Sequence, residues 1–195
     1  FTTTFISKMA IEFNLPTNLT LLRIALIPLL AIVFYLPWQY ANIASTFVFF
    51  IAGFTDWLDG YLARKMGLET AFGAFLDPVA DKLMVAFVLV LLVQQQGSVS
   101  LAIASAIIIG REIIIASLRE WMAEIGQTAK VKVSSLGKWK TTVQMLAIGF
   151  LLYREDLFGL PINLIGYWLL YIAAFLTLWS MFNYLSAAFT STIKE

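Results

Sequence analysis

The sequence predicts an all-α integral membrane protein, with six transmembrane helices in one bundle and a site that faces the cytoplasm. Three observations predict it. Of the 195 residues, 61% are hydrophobic and only 13% are charged, and the mean hydropathy is +0.85, far above that of an ordinary soluble domain. Apolar stretches close to the roughly 20 residues that span the hydrocarbon core recur along the whole chain. Polar or turn-forming residues separate them, and the acidic residues gather toward one side of the implied bilayer.

The first span is expected at about 19–36, entered through Asn14-Leu15-Pro16-Thr17 and closed by Pro37. A second follows at about 42–64. The third begins near Gly73 and ends at Gln94-Gln95-Gln96-Gly97, and the fourth covers about 99–122. A polar loop is expected over 126–140, then a fifth span at about 139–153 and a sixth at about 161–188, long enough to tilt or to project past the bilayer. There is no internal repeat and no low-complexity linker. The organisation expected is therefore a tail over 1–13 and one six-helix catalytic domain over 14–195, with Met9 as the natural start and 1–8 as an added remnant. Six tryptophans, among them Trp38, Trp57, Trp121 and Trp139, suit the membrane interfaces, with Trp57 placed nearest the polar site.

Composition also limits the chemistry. With no cysteine and no histidine, neither thiolate nor imidazole is available as a metal ligand or base. A metal here is held by oxygen, which favours magnesium, calcium or manganese. A net charge of +1 lacks the basic footprint of a nucleic-acid partner. Cytoplasmic loops collect Lys and Arg. If the amino terminus is cytoplasmic and six spans alternate, Lys8, Arg23, Arg64, Lys65, Lys82, Arg111, Arg119, Lys130, Lys132, Lys138, Lys140 and Lys194 all fall on or toward that side and only Arg154 falls outside. Both termini are then cytoplasmic.

The chemistry concentrates between Asp56 and Asp81, in DWLDGYLARKMGLETAFGAFLDPVAD. At 3.6 residues per turn, Asp56, Asp59, Gly60 and Ala63 fall within about 100° of one another. Gly73, Asp77 and Asp81, four residues apart, trace one face of the next helix. Two antiparallel helices can turn these faces together and bring four carboxylates into one pocket. Such a group is unstable at low dielectric without positive charge among it, and one or two hard divalent cations supply that charge. The small residues allow a bulky ligand close to the backbone, and Arg64 at the mouth can grip phosphate oxygens. Pro78 is expected to disturb or to begin the third helix beside Asp77. One aspartate alone would be a membrane-edge residue, and one pair of small residues a helix contact. The complete spacing outweighs that reading.

That spacing, Asp56-x2-Asp59-Gly60-x2-Ala63-Arg64-x8-Gly73-x3-Asp77-x3-Asp81, resembles the signature of the CDP-alcohol phosphotransferase family at every fixed position. The resemblance implies transfer of a substituted phosphate from a CDP-linked donor to an alcohol with release of CMP, in a six-helix membrane domain that is typically homodimeric. It implies Asp56, Asp59 and Asp77 as metal ligands, and Asp81 as general base that also touches a second metal. The ions expected are two Mg2+ or Mn2+ per site. Gly60, Ala63, Arg64 and Gly73 line the CDP site on the same grounds.

The signature does not choose the acceptor. Arg111 and Arg119, about 80° apart on the fourth helix, together with Lys138 and Lys140, suit an acceptor that carries phosphate. Lys130 and Lys132 are read first as topology and headgroup lysines. Arg111 lies deepest and needs a partner. Glu112 is a candidate for that charge compensation, with direct pairing left open because adjacent helical residues point about 100° apart. Arg23, on the first helix, is expected to touch a substrate or to snorkel toward headgroups.

Asn14 to Thr17, 72–82, 111–124, 137–142 and 178–187 extend the resemblance. They look like the bacterial branch of the family, gammaproteobacterial above all, that moves a phosphatidyl group from CDP-diacylglycerol to sn-glycerol 3-phosphate in the inner membrane for phosphatidylglycerol biosynthesis. Members that use inositol phosphate, serine or a phospholipid are the second reading. A cation channel or transporter is a distant third, since the outer halves of the spans are dry and no related halves or broken helices are visible. A non-catalytic assembly protein leaves the carboxylates without a purpose.

Overall fold

The computed structural model describes the backbone over residues 15–66, 71–124 and 136–192. The helices are α1 (Leu15–Tyr35), α2 (Ala41–Met66), α3 (Ala71–Gln96), α4 (Val99–Glu124), α5 (Leu136–Tyr153) and α6 (Ile162–Thr192). No strand is present among the described residues, where Leu157 and Leu160 form an isolated bridge in the turn before α6. The expected tail over 1–13 lies outside the described residues.

Among the described residues, four helices are long and apolar enough to cross a membrane: Thr17–Tyr35, Ala41–Leu62, Val99–Glu124 and Ile162–Ser186. The other two are interrupted by polar residues. α3 carries Asp77, Asp81, Lys82 and three glutamines, while α5 has only 18 residues and holds Lys138, Lys140 and Gln144 in its first half. The expected spans thus correspond to six helices, four of them of spanning character.

The chain divides into two compact units, 1–87 and 88–195, with the boundary inside α3. In the first unit α1 packs along α2. The sorting on α1 is inverted relative to a soluble helix: Thr17, Thr20 and Arg23 are buried on the stripe that continues through Ile27, Leu30 and Phe34, while Leu22, Leu29 and Ile32 are exposed. Water rewards the opposite arrangement, whereas lipid tails accept exposed leucine at no cost. The exposed Phe47, Phe54, Phe75, Phe175 and Phe182 follow the same rule, and Trp38, Trp57, Trp121 and Trp139 all reach the surface.

In the second unit α6 packs against both α5 and α4. Local signals set the turns. Gly97, at φ +60°, closes α3 with its N–H donating to the Val93 carbonyl at 3.0 Å, an αL stop that suits a residue without Cβ. Ser98 then starts α4 by accepting from the Leu101 N–H at 3.4 Å. Tyr167 and Tyr171 of α6 reach this turn, bonding Gln96 and, at 2.7 Å, Ser100.

One expectation is narrowed and one changes. Of the two alternatives for Pro78, it falls inside α3 rather than at its start, which is Ala71. It removes one i→i−4 bond there without ending the helix. The loop expected over 126–140 is shorter at its end, because α5 starts at Leu136. Lys138 and Lys140 are therefore helical, consistent with the good helix propensity of lysine. Residues 125–135, including Lys130 and Lys132, lie outside the described residues.

The α5–α6 contact is closest at Gly166, where a Cβ would meet Leu151 Cγ at 3.0 Å, the Leu151 backbone nitrogen at 3.1 Å and Phe150 Cβ at 3.1 Å. Backbone atoms cannot yield as a side chain does. Gly166→Ala should lower stability by about 1–3 kcal/mol, as overpacking does. Gly110→Ala, whose Cβ meets nothing within 4 Å, should be neutral or mildly stabilising on helix propensity. Thermal unfolding of both variants in detergent checks the contrast.

Candidate active site

The first cluster lies in the first unit, where α1 meets residues of the signature. Asp56 projects from α2 with its side chain 45% exposed, and its Oδ1 lies 2.8 Å from Nη1 of Arg23, whose side chain is only 1% exposed. Asp77, on α3 and half-buried, accepts a hydrogen bond from the Thr20 hydroxyl. Thr20 and Arg23 are three residues apart on α1, hence one turn apart on one face. One helix thus contacts an aspartate of α2 and an aspartate of α3.

Of the other signature residues, Gly60 is half-buried on α2, Gly73 is buried on α3, and Asp81 is exposed one turn beyond Asp77. The side chains of Asp59, Ala63 and Arg64 lie outside the described residues. Among the described residues no three acidic side chains form a single metal-holding group. The chemistry of the donors nevertheless fits a hard divalent cation. They are all oxygen, the carboxylates of Asp56 and Asp77 partly open to solvent and the Thr20 hydroxyl buried, with one permanent cation already beside Asp56.

Arg23 was expected to touch substrate or to reach toward headgroups. It instead turns inward and pairs with Asp56, because a guanidinium on the buried stripe of α1 needs a carboxylate more than it needs the interface. Thr20 was not anticipated. The available signal was the repeat Thr17, Thr20, Arg23, running at helical spacing into Ile27, Leu30 and Phe34.

The second cluster lies in the second unit. Arg111 of α4, with its side chain 15% exposed, donates from Nη1 to Oε1 of Glu112, and Lys140 of α5 places Nζ 3.7 Å from that same oxygen. Lys140 is 2% exposed. The adjacent residues Arg111 and Glu112 pair directly, so Glu112 does supply the charge compensation for which it was a candidate. A Cα–Cβ separation of about 100° does not prevent contact when an arginine is long enough to fold back along the helix. The Arg111 Nε is buried and has no hydrogen-bond partner among the described residues. Arg119 is exposed on α4, and the Lys138 side chain lies outside the described residues.

Apolar helices with exposed aliphatic and aromatic side chains, and a buried Arg23 and Lys140 each beside a carboxylate among the described residues, define a membrane protein with two ionic clusters. The chain belongs to the CDP-alcohol phosphatidyltransferase family, whose model matches residues 13–179. It is similar to a Haemophilus influenzae protein, 55% identical over 177 residues that make up 91% of this chain and 94% of the relative. A Salmonella choleraesuis protein is 51% identical and a Shigella flexneri serotype 5b protein 50% identical, each over 91% of this chain and 96% of the relative. All three relatives carry the name CDP-diacylglycerol--glycerol-3-phosphate 3-phosphatidyltransferase.

The Arg23–Asp56 pair is asymmetric, and this has a measurable consequence. Removing Asp56 leaves a fully buried guanidinium without this carboxylate, whereas removing Arg23 leaves a carboxylate that water reaches. Breaking a buried pair costs about 3–5 kcal/mol, and exposed pairs contribute far less. Asp56→Ala should therefore lower the unfolding temperature more than the volume-matched Arg23→Met. Equal losses would mean that the arginine is solvated by another route.

Proposed function

We infer that this protein transfers a phosphatidyl group from CDP-diacylglycerol to sn-glycerol 3-phosphate, giving phosphatidylglycerophosphate and CMP in phosphatidylglycerol biosynthesis. The observation that carries the reading is the eight-residue signature from Asp56 to Asp81 inside a family match of 13–179, in a chain at least half identical to relatives named for this reaction. The protein works as a multi-pass enzyme of the bacterial inner membrane, with six spans, both termini cytoplasmic and a homodimeric assembly. The catalytic domain is 14–195.

Asp56, Asp59, Asp77 and Asp81 would hold one or two Mg2+ or Mn2+. When bound, such ions neutralise the donor pyrophosphate and polarise the phosphorus to be attacked. The chain's own residues supply the rest. Arg23 keeps Asp56 oriented and limits the repulsion among the carboxylates, and Thr20 does the same for Asp77. Gly60, Ala63 and Gly73 leave room for the cytidine diphosphate against the backbone, with Arg64 on its phosphates.

Arg111, Arg119, Lys138 and Lys140 take the phosphate of the acceptor and so orient its free hydroxyl. Asp81 accepts the hydroxyl proton as that oxygen forms a bond to the β-phosphorus of the donor. The bond from that phosphorus to the CMP oxygen breaks, and CMP leaves with the electron pair. The donor's acyl chains remain among the lipid-facing side chains throughout.

Purified protein with magnesium or manganese should release CMP from CDP-diacylglycerol only when glycerol 3-phosphate is present. Equal release with inositol phosphate or serine would overturn the acceptor. Asp81→Asn should reduce turnover by about 10²–10⁴-fold, the usual contribution of a general base, while CDP-diacylglycerol still binds. Arg111→Ala should raise KM for glycerol 3-phosphate about ten- to hundredfold, the loss of one charged hydrogen bond. An unchanged KM would remove Arg111 from the site.

A further inference from the structure

Glu112 has no part in the chemistry described above, yet it occupies the centre of the second cluster. Its Oε1 receives Arg111 Nη1 and stands 3.7 Å from Lys140 Nζ. One carboxylate oxygen is thus addressed by a guanidinium from α4 and an ammonium from α5, as an oxygen of a bound phosphate would be. Two cations face one anion, and both cations are largely removed from solvent. The trio keeps an excess of positive charge, and the Arg111 Nε is still without a hydrogen-bond partner among the described residues.

A buried pair of cations destabilises the unliganded protein unless an anion sits with them. An anion fixed permanently and completely among them would leave nothing for a ligand to bind. Glu112 lies between these limits. It is bonded to one cation, it is beyond hydrogen-bond distance from the other, and its side chain is 27% exposed, so it can swing toward solvent.

We propose that Glu112 is a resident counter-anion of the phosphate site, a carboxylate that holds Arg111 and Lys140 in the empty protein and is displaced when a phosphate monoester binds. The proposal rests on the reading of Arg111 and Lys140 as the site for the acceptor's phosphate. It adds a regulatory consequence. The site is tuned against weakly charged ligands, because only an anion that outcompetes the carboxylate gains the two cations. A neutral alcohol gains nothing from displacing Glu112, and a dianionic phosphate gains both contacts.

The test uses the full chain in neutral detergent, with inorganic phosphate and, separately, glycerol 3-phosphate as probes. Thermal unfolding is followed as each probe is titrated, since a ligand that binds only the folded state raises the unfolding temperature with its concentration. Without anion, Glu112→Gln should unfold at a lower temperature than the unaltered protein. With anion, its stabilisation should be larger, and the apparent Kd for phosphate should fall about tenfold, as expected when one charged competitor is removed.

A residue that merely braces the fold would lower stability without increasing the response to phosphate, and an equal or weaker phosphate affinity in Glu112→Gln overturns the proposal. Should that variant fail to fold, Glu112→Asp keeps the charge but withdraws it by one methylene. Its phosphate affinity should exceed that of the unaltered protein, and a weaker one overturns the proposal.

The two readings fail separately. Tighter phosphate binding in Glu112→Gln together with an unchanged KM for glycerol 3-phosphate in Arg111→Ala leaves the anion site standing and removes its assignment to the acceptor. The reverse pair of results keeps the acceptor site and removes the resident role of Glu112.

Discussion

The structure depends on one constraint: in a chain made of residues that prefer lipid, an ionised side chain must be matched by an opposite charge. A charge at membrane depth costs several kcal/mol even where water defects and snorkelling relieve it, and the cost is recovered only by a partner in good geometry. Both clusters obey this. Arg23 is enclosed and meets Asp56, and Arg111 and Lys140 are enclosed and meet Glu112. Hydrophobic burial distinguishes the inside of such a protein from its outside only weakly. The polar contacts therefore carry much of the specification of which face of each helix turns inward.

This constraint explains which parts of the fold were legible in the sequence. The helices were, because runs of apolar residues at bilayer length, punctuated by Pro37, Gly97 and the Arg154 to Pro161 turn, leave few alternatives. Their ends were less so. α1 begins at Leu15, α5 at Leu136, and α6 continues to Thr192, because helical hydrogen bonding continues past the apolar run where the residues still favour helix. The inward face of α1 was less legible, because in a soluble protein a Thr, Thr, Arg stripe marks the water side. In lipid the same stripe marks the interior.

The candidate site divides along similar lines. The signature acids stand out by spacing, which has no simple structural use, but among the described residues the contacts of Asp56 and Asp77 are with Arg23 and Thr20 respectively. Those partners were not legible. Thr20 and Arg23 lie more than thirty residues before Asp56, and nothing in local periodicity connects the two segments. Glu112 was legible as a compensating charge for Arg111, but the direct bond was left open for a different reason: a helical wheel describes where Cβ points and ignores how far the side chain extends beyond it. Arginine, with a flexible apolar stem and several donors, is the residue for which that approximation fails first.

Together, the two clusters show how a membrane protein can hold partly compensated charge without being destabilised. Complete internal pairing would give a stable protein with no affinity for pyrophosphate or phosphate. Absence of pairing would give affinity at the expense of the fold. The arrangement seen here is intermediate in both units: Asp56 is paired through Oδ1 yet almost half exposed, and Lys140 is buried yet 3.7 Å from its carboxylate. Partial compensation keeps each cluster folded and leaves an incentive for a ligand of the opposite charge. Under the proposed function the acids would take a cation and the bases an anion, so the charge that each cluster lacks agrees with that reading.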